Sequence, residues 1–196
     1  MIWGGILLAI LCWAFTFGIP EGNFWAKIGI AVLIVSSYSL VWQRPRISFR
    51  FRSFLLGFSS AILLYLIFFV GYVLSPYVLT GSKTQVGGIY ALGEGTSRFL
   101  ILSLLFFITG PGEEIFWRGF LQSRLMEKLG DFRGYMAATA VYAGVHVFSW
   151  NLMLILAAFV AGAFWGALYM WKRDLLAQIV SHSFWSAAIF AVVPIR

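Results

Sequence analysis

FLLGFSSAILLYLIFFVGYVLS, residues 54–75, is a run of 22 residues without a charged side chain. An α-helix needs about 20 apolar residues to cross the hydrocarbon core of a bilayer, so this segment predicts a membrane-spanning helix. The rest of the chain has the same character, because 61% of its 196 residues are hydrophobic and only 11% are charged. A soluble domain carries about 25% charged residues. The composition therefore excludes a water-soluble globular protein and indicates an integral membrane protein.

Further apolar segments lie on both sides of residues 54–75 and together predict an all-α bundle of about seven transmembrane helices in a single domain, residues 1–196. The predicted spans are Ile2–Ile19, Trp25–Trp42, Phe54–Ser75, a stretch ending near Thr109, Tyr135–Trp150, Leu152–Trp171 and Leu175–Val193. We expect the fourth to continue through Gly110-Pro111-Gly112 into the helix that holds Glu113. The first lacks a basic leader and a cleavage site, which favours a retained helix over a signal peptide.

The net charge of +7 comes from basic residues that concentrate in three connecting segments. These residues are Arg44, Arg46, Arg50 and Arg52, then Arg124, Lys128 and Arg133, then Lys172 and Arg173. The predicted spans place all three segments on one face, which the positive-inside rule makes cytoplasmic together with the N-terminus. This placement favours orientation in a membrane over nucleic-acid binding. The segments Pro20–Phe24 and Pro76–Ser97 then read as external loops, and Leu121–Gly130 as a helix along the inner membrane surface.

A few ionisable residues lie within the predicted spans. They are Glu113, Glu114 and Arg118 on the fourth, His146 on the fifth and His182 on the seventh. Each charged group in a span costs roughly 2.5 to 3.5 kcal/mol on insertion scales, so such residues are functional candidates. At about 1.5 Å per residue, His146 would lie about 17 Å and His182 about 12 Å from the cytoplasmic ends of their helices. The sequence thus predicts a polar site in the inner half of the bilayer.

Glu114 and Arg118 are four residues apart, the spacing and order that favour an ion pair on one helix face. The Glu113 side chain points about 100° away from that of Glu114 and stays outside the ion pair, which suits a general base acting on water. Pro111 and Gly112 would place the pair near a helix start, where the helix dipole favours negative charge. Alternatively, the glutamates and Arg118 form only an ion-pair cluster at the membrane interface. The histidines would then be packing side chains whose hydrogen bonds are made within the bundle.

Glu113-Glu114-x-x-x-Arg118, followed by Tyr142-x-x-x-His146 and then His182, resembles the CAAX protease and bacteriocin-processing (CPBP/Abi) family of intramembrane endopeptidases. The resemblance covers roughly residues 90–196, the expected catalytic core. It implies that Glu113 and His146 activate the hydrolytic water, that His182 stabilises the oxyanion, and that Glu114 and Arg118 hold the site's geometry.

Two positions depart from the family pattern. Ser186 stands where the family has Asn or Asp four residues after the late histidine, and a serine hydroxyl can donate only one hydrogen bond there. Tyr142 stands where the family more often has Phe, which we interpret as a mild change. Phe159-x-x-Gly162-x-x-x-Gly166 resembles a further family motif, but its small residues are also typical of close helix packing. The tryptophans and phenylalanines are expected at the membrane interfaces and against lipid.

Metal dependence stays open at this point. Glu113, His146 and His182 could supply one carboxylate and two imidazoles to zinc, with an open position for water. No HExxH pattern is present, and the single cysteine, Cys12, excludes a cysteine-ligated cluster. We therefore expect no cofactor, with zinc as the alternative.

Together with the membrane composition, the resemblance implies an endopeptidase of the cell membrane, of bacterial inner-membrane type, acting on a membrane-anchored protein or peptide reached laterally or from the inner face. The resemblance leaves maturation, immunity and sorting open as roles. A non-catalytic immunity or scaffold protein is the first alternative. A proton-coupled transporter is the second, although no inverted repeat is visible.

Overall fold

The computed structural model describes residues 1–45 and 47–195 and therefore leaves Arg46, one of the predicted loop arginines, outside the described residues. All regular elements in this part of the chain are helices. They are α1 (Ile2–Gly18), α2 (Phe24–Trp42), α3 (Phe51–Val78), α4 (Ser82–Ala91), α5 (Arg98–Leu129), α6 (Asp131–Gly144), α7 (Leu152–Lys172) and α8 (Leu175–Val192). A short 3₁₀ turn, Val145–Ser149, follows α6.

Five of the described helices, α2, α3, α5, α7 and α8, are long and apolar enough to cross a membrane. The protein is therefore a multi-pass membrane protein. The predicted number of about seven spans is not confirmed, because α1 has 17 residues and α6 has 14 before its 3₁₀ turn, so neither is long enough to count by length alone. The predicted loop Pro76–Ser97 is also wrong in part, since Ser82–Ala91 forms α4.

Helix α5 runs through Gly110-Pro111-Gly112 without a break, as expected, so Glu113 and Glu114 lie in mid-helix and not at a helix start. A π-helical turn, Leu105–Thr109, precedes the proline, and the Gly110 amide donates to the Leu105 carbonyl five residues back. A second π-helical segment, Ile115–Gln122, follows the glutamates. Wide turns of this kind are frequent at functional sites because they re-aim side chains.

The bundle is arranged around α5, which packs against α2, α6 and α8. Helix α3 covers α8, α7 covers α6, and α1 lies against α2 and the 3₁₀ turn. Large buried aromatic side chains fill the centre, among them Trp13, Trp117, Phe116 and Phe120.

Three side-chain contacts join the connecting segments at one end of the bundle. Gln43 donates to Ser123 at 3.1 Å, Ser53 donates to Asp174, and Arg173 pairs with Asp131 at 2.6 Å. The basic segments thus share one end, here called the basic end. Lys128 lies 6.0 Å from the centre of the Trp3 ring, so the start of α1 is at the same end.

Candidate active site

Two glycines let neighbouring helices approach α5 at the level of the glutamates. A Cβ atom at Gly110 would overlap the Ser183 hydroxyl on α8, and one at Gly112 would lie 2.5 Å from Val32 Cγ1 on α2. Real Cβ atoms do not tolerate such distances. The sequence Gly110-Pro111-Gly112 therefore brings α8 and α2 close enough to enclose Glu113 and Glu114.

Glu114 is the centre of a buried ionic network. Its Oε1 atom accepts from Arg118 Nη1 at 2.9 Å, which confirms the predicted ion pair, and lies 2.7 Å from His182 Nδ1. The His182 ring stacks on Trp165 with 4.0 Å between ring centres. Since Nδ1 faces a carboxylate that Arg118 already pairs, Nδ1 carries a proton and donates. Glu114 therefore fixes the orientation of His182 as well as that of Arg118.

Arg118 and Gln122, one turn apart on α5, both reach backbone carbonyls of α7. Arg118 Nη2 donates to Gly162 at 3.4 Å, and Gln122 Nε2 donates to Gly166 at 2.8 Å. A Cβ at Gly162 would lie 2.8 Å from Tyr142 Cδ1, so the small-residue stripe does serve close packing. The glycines add a polar function, because the close approach brings their carbonyls to buried donors.

Tyr142 connects Glu113 with His146. Its phenol donates to Glu113 Oε2 at 3.3 Å, and its carbonyl lies 2.8 Å from His146 Nδ1. Among the described residues no direct hydrogen bond joins Glu113 to His146. The tyrosine in place of the family's more common phenylalanine is thus more than a mild change, because a phenylalanine could not make the bond to Glu113.

His146 is held from both sides. Its Nδ1 atom donates to the Tyr142 carbonyl, and its Nε2 atom accepts from the indole N–H of Trp13 at 3.3 Å. This pattern requires the neutral ring with the proton on Nδ1. Trp13 comes from α1, so a helix far away in sequence completes the surroundings of His146.

A cavity of about 520 Å³, here called the main cavity, brings the predicted site residues together. Its lining includes Glu113 from α5, His146 from the 3₁₀ turn, and His182 and Ser186 from α8. The remainder of its wall is mostly apolar and comes from α2, α3, α4 and α7. Glu114 and Arg118 are fully buried behind this surface and do not line it.

The depth of the site differs from the expectation. His146 follows the start of α6 at the basic end by 15 residues, which places it about 22 Å from that end. The main cavity is bounded by Phe24, Leu92 and Met153, which lie near the opposite end of their helices. His146 is therefore further from the basic end than the expected distance of about 17 Å, because α6 starts four residues before the predicted span.

Two tryptophans of the site were not predicted from the sequence. Trp13 and Trp165 are buried, with 1% and 0% of their surface exposed, whereas tryptophans were expected at the membrane interfaces. An isolated tryptophan in an apolar run carries no signal that distinguishes a lipid-facing ring from a hydrogen-bond donor. Gln122 did carry such a signal, as a polar residue four positions after Arg118.

Protein partners occupy most of the histidine ring nitrogens that the zinc alternative would use. Within residues 1–45 and 47–195, no group of three His, Cys, Asp or Glu side chains is placed to hold a metal ion. Both ring nitrogens of His146 have protein partners, and His182 Nδ1 is taken by Glu114. A metal at this position would have to displace the Trp13 indole.

A family model described as Type II CAAX prenyl endopeptidase Rce1-like matches residues 95–188. The match covers just under half of the chain and agrees with the resemblance that its motifs show to the CPBP/Abi family. The matched range contains all the predicted site residues from Glu113 to Ser186, and it excludes α1 to α4 with Trp13. No curated protein and no solved structure matches the chain. The Rce1-like family is a protease family, so the match supports an endopeptidase at the level of the family.

Proposed function

We propose that the protein is a glutamate-type intramembrane endopeptidase that hydrolyses a peptide bond of a membrane-associated polypeptide without a metal ion. One observation carries the proposal: Glu113, His146 and His182 come from three separate segments and converge on one cavity. Burying ionisable groups inside a membrane protein costs free energy. Because only 11% of the residues of this chain are charged, their presence together in the interior indicates a function.

Glu113 acts as the general base. It takes a proton from a water molecule while the water oxygen bonds to the carbonyl carbon of the substrate and the carbonyl π electrons move to the carbonyl oxygen. The C–N bond then breaks, and the proton held by Glu113 passes to the leaving nitrogen. The Tyr142 phenol holds the Glu113 carboxylate in position. His146, held at Nε2 by the Trp13 indole, lines the same cavity and helps to position this water beside Glu113.

His182 and Ser186 stabilise the oxyanion. They are four residues apart on α8, so their side chains share one face, and both line the main cavity. His182 Nδ1 donates to Glu114, so Nε2 can donate to the oxyanion only when the ring is protonated. Glu114 accepts from Nδ1 and so holds the ring in a fixed orientation. Donors preorganised in this way typically supply the largest catalytic contribution.

The substrate enters laterally from the lipid. Several residues line the main cavity and are also exposed on the surface of the bundle, and these residues mark its mouth. They are Ile67 and Leu74 on α3 and Leu156 and Val160 on α7. Their apolar side chains suit a lipid-anchored or membrane-inserted segment, which would reach Glu113 without passing through water.

The test compares Glu113→Gln with Glu127→Gln. Glutamine keeps an acceptor for Tyr142 but cannot take a proton, so we expect cleavage to fall by about 10²- to 10⁴-fold. Glu127 is exposed, and its ion pair within the described residues is with Arg124, so its variant should keep full activity. Mass spectrometry of membrane proteins from cells with each variant would identify the substrate by its shifted terminus. A biological effect that persists in Glu113→Gln and His146→Ala would indicate a binding or scaffold protein instead.

Metal analysis of the purified, active protein tests the metal-independent mechanism. We expect activity in the presence of chelator and no stoichiometric zinc. Stoichiometric zinc that disappears in His146→Ala would contradict the glutamate mechanism and support the zinc variant of the same peptidase.

A further inference from the structure

A second cavity, of about 420 Å³ and here called the polar cavity, lies next to the main one. Its lining includes Asn23, Lys27, Glu94, Ser149 and Asn151. The two cavities are adjacent, because five residues line both of them: Phe17, Phe24, Ile89, Leu92 and Leu154. The Phe17 ring also contacts His146, with 5.8 Å between ring centres. The polar cavity therefore begins beside the candidate site.

Lys27 is the unusual residue of this cavity. Its side chain is only 9% exposed, and it is the fourth residue of α2, where the helix dipole disfavours a cation. The ion pairs of the described residues do not include Lys27. Its ammonium group donates to the Ile19 carbonyl, which leaves two of its three N–H donors for another acceptor.

The other polar side chains of the cavity already bond to the protein. Asn23 accepts from the Ala26 amide and donates to Thr96, and Asn151 accepts from the Leu154 amide and donates to the Gln85 carbonyl. Glu94 is the acidic residue of the lining, and it is exposed. Lys27 therefore gives the cavity a buried positive charge that its surroundings leave without a close anion.

We propose that the polar cavity is a subsite for the C-terminal carboxylate of the peptide whose apolar part occupies the main cavity. This inference rests on the proposed peptidase function. A carboxylate would accept from Lys27 and neutralise it, and a charged acceptor of this kind makes a strong hydrogen bond in a buried site. The peptide would then lie with its C-terminal end towards the start of α2 and with its scissile bond at Glu113.

The first test uses binding, so that it does not depend on turnover. Glu113→Gln protein in phosphatidylcholine nanodiscs is titrated with two fluorescent hexapeptides of Leu, Val and Phe, one ending in a carboxylate and one in a carboxamide. We expect the carboxylate peptide to bind at least about tenfold more tightly, which corresponds to one charged hydrogen bond. Equal affinities would overturn the subsite.

Two further variants, in the same Glu113→Gln protein, assign the preference to Lys27. Lys27→Met should abolish the difference between the two peptides and Lys27→Arg should retain it, whereas Lys128→Met, at the basic end, should leave it unchanged. A preference that survives Lys27→Met would overturn the assignment. If nanodiscs with phosphatidylglycerol abolish the preference, an anionic lipid headgroup takes the site and the peptide-terminus assignment is wrong.

A failure of the carboxylate subsite can be distinguished from a failure of the proposed peptidase function. Cleavage of carboxylate and carboxamide peptides at equal rates by the unchanged protein would leave the peptidase intact and remove the subsite. Binding that prefers the carboxylate, with no cleavage of any peptide, would leave the subsite intact and contradict the peptidase.

Discussion

Ser186 is, with Tyr142, one of two residues at which the sequence departs from the family pattern within the candidate site. It is buried, lies one turn after His182, and lines the main cavity. We expect Ser186→Ala to lower kcat by about a hundredfold, the effect of removing one oxyanion donor. Ser183→Ala is the matched control, because Ser183 lies on the same helix but bonds to the Phe106 carbonyl away from the cavity. Equal activity of the two variants would exclude Ser186 from oxyanion stabilisation.

Trp13 is a positioning residue for His146. Trp13→Phe keeps the aromatic packing but removes the N–H that bonds to Nε2, so the imidazole loses one of its two restraints. We expect kcat to fall about tenfold, because catalytic groups depend on orientation, while KM and the melting temperature stay close to those of the unchanged protein. Trp3→Phe, on the exposed side of the same helix, should change nothing. A rise in KM without a change in kcat would show that Trp13 contacts the substrate instead.

At the scale of the element, the contact between α6 and α7 depends on Gly162. An added methyl group would lie 2.8 Å from the Tyr142 ring and would move α7 away from Arg118. We expect Gly162→Ala to destabilise the protein by about 1–3 kcal/mol, as overpacking does. Gly71→Ala on α3 meets open space and should leave the stability unchanged or raise it. Thermal unfolding in detergent measures both, and equal midpoints would show that the helices adjust without cost.

Helix α5 owes its central position to the same kind of close approach. Gly110 and Gly112 admit α8 and α2, while the π-helical segments on either side of the glutamates change the phase of the helix around them. Adjacent residues of a helix point about 100° apart, so Glu113 faces the main cavity and Glu114 faces the ionic network. Two adjacent carboxylates thereby take different environments, one available to substrate and one committed to structure.

At the scale of the whole molecule, the charge distribution predicts the orientation in the membrane. The basic end collects the arginines and lysines of three connecting segments, so we propose that it faces the cytoplasm. The chain has one cysteine, which allows single-cysteine labelling after Cys12→Ser. We expect a membrane-impermeant maleimide to label Glu94→Cys in intact cells and Lys128→Cys only after permeabilisation. The opposite pattern would place the basic end outside.

The sequence by itself determined the membrane class and most of the helices, because both follow from local apolar length. It also determined the Glu114–Arg118 pair, since a spacing of four residues fixes neighbours on one helix. Two of the seven predicted spans were not supported, because apolar length alone does not measure whether a short helix crosses the bilayer. Only the tertiary structure placed Trp13 on His146, His182 on Glu114, and Lys27 beside the site. Those contacts join segments far apart in the chain, and their partners depend on how helices pack, which no local pattern of residues contains.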